Sequence, residues 1–222
     1  MHSRRKFFRG VVAGAAAAAL GDQTFTRTVS AQTALSPDAA LQQLIDGNGR
    51  FAAGRLTSFD EDLSILKAKT VDKQEPFAAV LSCADSRVPV ELIFDQSIGH
   101  VFVTRVAGNI ATSPMIASLE YSVAVLGAKA IMVLGHANCG AVKAAIDAKP
   151  APGQISVLYP YIRPAVAQAG PDLEAAIKAN AKIQAALLRQ SSPALAEQLK
   201  QNQLKIVAAY YDLATGKVTL LE

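Results

Sequence analysis

The sequence of 222 residues contains no tryptophan, only two cysteines and only three histidines. Two cysteines leave a choice between one disulfide and two free thiols. The apolar run at residues 10–20 is too short to cross a membrane, which takes about twenty apolar residues. No internal repeat or low-complexity linker follows it. The few cysteine and histidine side chains are therefore the most informative residues of the chain.

The chain also lacks a charge excess once its first residues are set aside. Residues 1–31 contain five lysine or arginine residues and one acidic residue, which accounts for the whole formal charge of +4. Residues 32–222 are then formally neutral. The basic isoelectric point of about 9.1 consequently gives no indication of nucleic-acid binding, and we expect no nucleic-acid partner.

The N-terminus resembles a twin-arginine export signal. Arg4-Arg5 is followed by two phenylalanines and by the short apolar run, and small residues ending at Ala31 are typical of a cleavage site. The resemblance predicts a signal peptide at 1–31 that is read by the export machinery and cleaved near Ala31. A single domain at 32–222 would then reach the periplasm or another extracytoplasmic space. A disordered basic tail and a permanent anchor are the alternatives.

Reactive side chains cluster in two short motifs. Cys83-Ala84-Asp85-Ser86-Arg87 follows an apolar run at 77–81, and His136-Ala137-Asn138-Cys139 follows another at 130–134. Both runs are typical of buried strands, so the reactive residues are predicted at strand ends. Two thiols and an imidazole suit zinc, and three protein ligands leave the fourth position open, as in catalytic zinc sites.

The alternating spacing of Cys83, Asp85 and Arg87 predicts that an extended chain places all three side chains on one side. Asp85 is then expected to reach a metal-bound water, and Arg87 to hold Asp85 by a charge-assisted hydrogen bond. Two alternatives remain open from the residues alone. Cys83 and Cys139 could form a disulfide, and Asp85 could be a turn residue with Arg87 as its surface partner.

These motifs resemble those of the beta-class carbonic anhydrases, in which C-x-D-x-R is followed by H-x-x-C. Further stretches occur in the family's order from about residue 35 onward: Gly47-Asn48-Gly49-Arg50-Phe51, Phe94-Asp95-Gln96, Arg105-Val106-Ala107-Gly108-Asn109 and Ser118-Leu119-Glu120-Tyr121. The resemblance implies reversible hydration of carbon dioxide to bicarbonate and a proton by zinc-bound hydroxide, assisted by an Asp85-Arg87 dyad. It also implies one Zn²⁺ per chain on Cys83, His136 and Cys139, with Asp85 as an alternative fourth ligand.

Other expectations follow from the same resemblance. Gln74 and Gly140 are predicted to contact substrate, and His100 is either a proton shuttle or an exposed turn residue. A homodimer or homotetramer is expected. Some family members have a separate bicarbonate site that includes a tryptophan, which this chain lacks. A sulfur analogue of carbon dioxide as substrate, or a non-catalytic zinc-binding module, are competing interpretations.

The fold class is predicted to be α/β. The runs at 101–103 and 131–134 are apolar without alternation, which is typical of parallel strands buried on both faces, and the helical stretch at 112–126 suits a crossover between them. The resemblance implies a mostly parallel sheet of order 2-1-3-4 with an antiparallel edge strand, flanked by helices. Further helices are predicted to begin at Ser36-Pro37-Asp38 and to span 60–71, 155–168, 172–190 and 193–201.

Overall fold

The computed structural model describes residues 33–58, 67–68 and 70–222. The predicted signal peptide at 1–31 and most of the predicted helix at 60–71 lie outside these residues. Within the described part of the chain, no helix is both long and apolar enough to span a bilayer.

The chain forms a central sheet with helices on both faces. The strands are β1 (Ala78–Ser82), β2 (Val101–Arg105), β3 (Ala130–His136), β4 (Lys205–Tyr211) and β5 (Val218–Leu221). The helices are α1 (Pro37–Ala52), α2 (Val90–Ile93), α3 (Ser113–Ala124), α4 (Gly140–Asp147), α5 (Tyr159–Ala169), α6 (Leu173–Ser191) and α7 (Pro193–Lys200), and a 3₁₀ turn covers Ile155–Leu158.

The strand order is β2-β1-β3-β4-β5. The first four strands run parallel and β5 pairs antiparallel to β4, which confirms the predicted order and the antiparallel edge. From β1 the chain crosses to β2 on one side and then to β3 on the other. Open parallel sheets bind ligands at such a reversal, beyond the carboxyl ends of the strands.

The two central strands are buried along their whole length, because both faces of the sheet are covered. Alternate residues enter opposite cores: Leu81 and Val133 pack with α3, α6 and α7, whereas Val80 and Met132 pack with α1 and α2. This alternation follows from the two-residue period of a strand. The continuous apolar runs of the sequence are thus explained by burial on two sides.

Helix α1 begins as its sequence predicts. Ser36 is the N-cap, and its Oγ accepts a hydrogen bond from the Ala39 N–H at 3.2 Å, while Pro37 occupies the first helical position. Ala40 and Leu44 are fully buried against the sheet of the same chain. The segment predicted as one helix at 155–168 instead starts with the 3₁₀ turn, and α5 begins only at Tyr159, since Pro160 suits a first helical turn.

Candidate metal centre

Three potential metal ligands converge at the carboxyl edge of the two central strands. Cys83 follows β1 directly, His136 is the last residue of β3, and Cys139 is the N-cap residue of α4. The register pairs Ser82 with Leu134, so Cys83 and His136 leave the sheet at nearly the same level. Their ligand atoms and that of Cys139 all lie within 4.8 Å of one another, and all three residues are buried.

The imidazole of His136 presents one free nitrogen to this cluster. Its Nδ1 lies 2.9 Å from the carbonyl oxygen of Ala137, so Nδ1 carries the proton and donates it there. Nε2 therefore holds the lone pair, and it is buried without a hydrogen-bond partner in the described part of the chain. A buried polar atom without a partner is costly unless a ligand completes it. A soft donor set of one imidazole and two thiols fits zinc.

The sulfur atoms of Cys83 and Cys139 are 4.0 Å apart, about twice the length of a disulfide bond, and both thiols are free. The hydrogen bond between them lowers the pKa of Cys83 and raises the pKa of Cys139. Burial opposes ionisation of both, whereas the Gly108 N–H, 3.3 Å from the Cys83 sulfur, favours the Cys83 thiolate. The arrangement thus favours one thiolate, the form that binds metal.

Asp85 lies beside the cluster and is held by Arg87 through a bidentate pair. The Arg87 Nε donates to Asp85 Oδ1 at 2.9 Å and Nη2 donates to Oδ2 at 2.8 Å. The same Oδ2 is 3.8 Å from His136 Nε2. The Arg87 guanidinium holds the pKa of the Asp85 carboxyl well below its usual range, so Asp85 is ionised at neutral pH.

The expectation that Cys83, Asp85 and Arg87 lie on one side of an extended chain is wrong for Arg87. The chain turns after Asp85, because its Oδ1 accepts the Arg87 backbone N–H at 2.9 Å and its carbonyl accepts the Val88 N–H at 3.1 Å. An aspartate that binds the backbone two residues on is a common turn device. The turn, and not strand alternation, returns the Arg87 side chain to Asp85.

Two arginines connect the first motif to its neighbours. Arg87 Nη2 also donates to the carbonyl of Asn138 at 3.3 Å, which joins the two sequence motifs. Arg105, at the end of β2, donates from Nε to the Cys83 carbonyl at 3.0 Å and from Nη2 to the Asp85 carbonyl at 2.5 Å. The backbone that carries Cys83 and Asp85 is therefore fixed from an adjacent strand.

Sequence reasoning missed two buried amides, Asn180 and Gln184 on α6, which bind the loop next to Cys83. Their four-residue spacing places both on one face of the helix, and polar residues on a face otherwise lined by Ile177 and Ala181 were the available signal. Long-range partners of such amides cannot be read from helical periodicity.

The structure does not bring Gln74 or His100 to the cluster of its own chain. Both are exposed and precede the amino ends of β1 and β2, whereas Cys83 lies at the carboxyl end. Five strand residues separate the two edges by roughly 16 Å. The predicted Gln74 substrate contact therefore does not form within one chain, and within one chain the geometry does not support the shuttle role of His100.

Gly140 does lie at the site, as the first residue of α4 and next to Cys139. A Cβ added there would meet no atom of the described residues within 4 Å. Packing within one chain therefore does not require glycine here, and the predicted contact of Gly140 with substrate stays a prediction. The space beside it is open.

The mostly parallel sheet with a buried Cys-His-Cys cluster at its winding reversal defines an α/β protein with a site that fits a metal ion. A carbonic anhydrase family model matches residues 78–218. The carbonic anhydrases of Mycolicibacterium smegmatis and Pseudomonas aeruginosa are 35% and 31% identical to the chain. These matches cover 83% and 82% of the chain, and 93% and 88% of the relatives.

Solved structures agree with these matches. The Coccomyxa beta-carbonic anhydrase, determined with acetazolamide, has a TM-score of 0.66 at 27% identity and covers 82% of this chain and 86% of its own. A tetrameric beta-carbonic anhydrase of Sordaria macrospora has the same fold, with a TM-score of 0.66 at 24% identity over 82% and 96% of the two chains. The chain belongs to the beta-carbonic anhydrase family, whose general reaction is carbon dioxide hydration.

Proposed function

We propose that Cys83, His136 and Cys139 hold one Zn²⁺ and that Asp85, supported by Arg87, assists the hydration of carbon dioxide at this site. The observation that carries the proposal is the unpartnered, buried His136 Nε2, which faces two thiols and lies 3.8 Å from an Asp85 oxygen. Most buried polar atoms in proteins have a hydrogen-bond partner, and this nitrogen without one also faces two candidate metal ligands.

When bound, zinc would supply Lewis acidity that lowers the pKa of a coordinated water to about 7. The thiolates of Cys83 and Cys139 donate more charge than imidazoles and oppose this acidity, while the Asp85 carboxylate offsets them by accepting a hydrogen bond from the attacking water. Because Arg87 keeps Asp85 ionised, Oδ2 orients that water and does not store its proton at neutral pH. Ile110, Val142 and Ile162 pack around the cysteines and exclude bulk water.

Both Asp85 oxygens are engaged by Arg87, which supports a centre with three protein ligands and Asp85 held off the metal. Asp85 as fourth ligand would require this bidentate pair to break. The absence of tryptophan from the sequence argues in the same direction, because the tryptophan-containing bicarbonate site of some family members cannot be built here.

Export and assembly complete the proposal. The twin-arginine leader at 1–31 supports export of the 32–222 domain to an extracytoplasmic space, such as the periplasm. The Sordaria macrospora enzyme is a tetramer, which supports a homodimer or homotetramer for this chain.

The open space at Gly140 is a place where substrate can approach the cluster.

Stopped-flow carbon dioxide hydration from about pH 6.5 to 9, with zinc determined on the same sample, tests this proposal. Rapid hydration with one zinc per chain is expected. A zinc-loaded protein that is inert across this range would contradict the proposed reaction, and assays with carbonyl sulfide and carbon disulfide would then test the sulfur analogues. Secretion of the full-length chain, compared with an Arg4→Lys, Arg5→Lys variant, tests the leader.

A further inference from the structure

The sulfur of Cys83 accepts a hydrogen bond from outside both sequence motifs. The backbone N–H of Gly108, in the loop after β2, donates to the Cys83 sulfur at 3.3 Å. A donor on a thiolate withdraws electron density from the sulfur, so the sulfur donates less charge to a metal that it binds. The position of this single N–H therefore bears on the acidity that the centre can supply.

Contacts from outside the loop are needed to fix the backbone of Gly108 in that position. Its φ of +77° lies in the left-handed region, where glycine is freely allowed and has many alternatives. A Cβ at this position would lie 2.8 Å from Ile162 Cδ1, so a larger residue would also require the Ile162 side chain to shift. Glycine thus allows the positive φ at this position, but it also restricts the backbone less than any other residue would.

Two fully buried side-chain amides of α6 fix the loop that contains Gly108. Asn180 Nδ2 donates to the Gly108 carbonyl at 2.8 Å, and the Gln184 Oε1 accepts the Ala111 N–H at 2.9 Å, so the loop is fixed at two points. Gln184 Nε2 donates to Asn180 Oδ1 at 3.2 Å and to the Tyr161 carbonyl at 3.1 Å. These bonds fix the orientation of both amides, and they leave Asn180 with its donor facing Gly108.

We propose that Asn180 and Gln184 are positioning residues of the metal centre, which hold the Gly108 N–H on the Cys83 sulfur and so reduce the charge that this thiolate donates to the metal. Neither residue belongs to the C-x-D-x-R or H-x-x-C motif, and neither forms a hydrogen bond with a proposed metal ligand. The inference rests on the proposed zinc site.

The test compares cobalt-substituted and zinc-loaded wild type with Asn180→Leu, which keeps the side-chain volume and removes the bond to Gly108. The thiolate-to-cobalt charge-transfer band is expected to move to longer wavelength, because a sulfur without its donor holds its electrons less tightly. In the zinc form, kcat/KM is expected to fall about tenfold at pH 7 and to recover toward wild type near pH 9. A purely structural loss would be similar at both pH values.

Asn48→Leu is the matched control. Asn48 is a buried amide that donates to the carbonyls of Ile93 and Gly216 and accepts the Val218 N–H, away from the cluster. This variant is expected to lose stability but to keep the wild-type band position and pH profile. A band shift in Asn48→Leu equal to that of Asn180→Leu would show general loosening and would overturn the inference.

Gln184→Met supplies a second variant in case Asn180→Leu does not fold, since methionine keeps the length and removes the amide bonds. A smaller band shift in the same direction is expected. Wild-type band position and pH profile in the folded variants would overturn the inference while leaving the proposed function intact. Failure of the wild type to bind zinc or cobalt would instead overturn the proposed function.

Discussion

Two buried polar clusters of this protein differ in how completely their atoms are paired. Around Asp95, the carboxylate accepts hydrogen bonds from Arg50 Nε at 2.5 Å, from the Thr57 N–H and Oγ1 at 2.9 Å each, and from the Ser58 N–H at 2.9 Å. Around His136, Nε2 faces two sulfur atoms and has no partner within the described residues. The Asp95 carboxylate is thus fully paired with protein atoms, whereas His136 Nε2 is left without a protein partner at a point where a metal ion would fit.

Unpaired polar atoms help to distinguish a reactive site from a structural cluster, but only when several neighbouring groups are considered together. Ser58 Oγ, Ser97 Oγ and Asn109 Nδ2 are also buried without a partner among the described residues, so one unpaired atom does not identify a site. What distinguishes His136 is that Cys83 and Cys139 converge on the same point, with an ionised Asp85 beside it. Three soft donors that meet in one place have few explanations other than a metal.

The largest expected effect comes from removing the unpaired nitrogen. His136→Ala should abolish stoichiometric zinc and lower carbon dioxide hydration by roughly a thousandfold or more, because two thiols alone do not complete the centre. Metal analysis and stopped-flow assays on the same preparation measure both. A His136→Ala variant that retained one zinc per chain and wild-type hydration would contradict the metal-binding role that distinguishes His136 from the Asp95 cluster.

Asp85→Asn should keep zinc but lower kcat/KM by about a hundredfold or more, since an amide keeps the size of the carboxylate and loses its charge. Because the pKa of Asp85 is lowered and the group is ionised from pH 6.5 to 9, the loss should be nearly constant over that range. Zinc content and the pH–rate profile of the variant show whether Asp85 assists the reaction without binding the metal. Loss of zinc in this variant would indicate that Asp85 is a ligand after all.

Asp95→Asn should affect stability and leave the chemistry unchanged. It should lower the free energy of unfolding by about 2 kcal/mol at pH 7, because a buried, charged acceptor of four hydrogen bonds is replaced by an amide that also donates. Zinc content and kcat/KM should stay near wild type. Urea unfolding, followed by circular dichroism, measures the difference.

The pH dependence of that difference has a definite sign. Burial alone would raise the pKa of Asp95, but the hydrogen bonds from Arg50, Ser58 and Thr57 outweigh it and lower the pKa well below its usual range. A lowered folded-state pKa stabilises the protein above the unfolded value of about 3.9, and this stabilisation is lost as pH falls from there toward the folded value. The gap between wild type and Asp95→Asn should therefore narrow below about pH 4; a gap that widened would contradict the assignment.

The smallest effect is expected for His100→Ala. His100 is exposed at the amino edge of the sheet, and its structural bond uses the backbone carbonyl that accepts the Phe77 N–H. Hydration rates should stay within about twofold of wild type at both low and high buffer concentrations. A loss confined to low buffer would restore the proton-shuttle role that the geometry does not support.

Much of the site could be predicted from sequence because its residues occur in short motifs. The two strands that carry Cys83 and His136 were marked by apolar runs, and the three-residue spacing of His136 and Cys139 indicated a shared ligand role. The sheet order followed from the resemblance to known proteins. The turn that returns Arg87 to Asp85 was missed, because spacing alone does not distinguish an extended segment from an aspartate-capped turn.

The sequence by itself determined the candidate ligand types, the buried strands and the capped start of α1, since each depends on neighbouring residues and on a fixed period. Only the tertiary structure decided that Gln74 and His100 lie at the far edge of the sheet, and that Arg105, Asn180 and Gln184 reach the backbone around Cys83. These contacts join residues from 20 to over 70 positions apart in the chain. Such pairings depend on how the strands and helices pack, and no local sequence pattern predicts them.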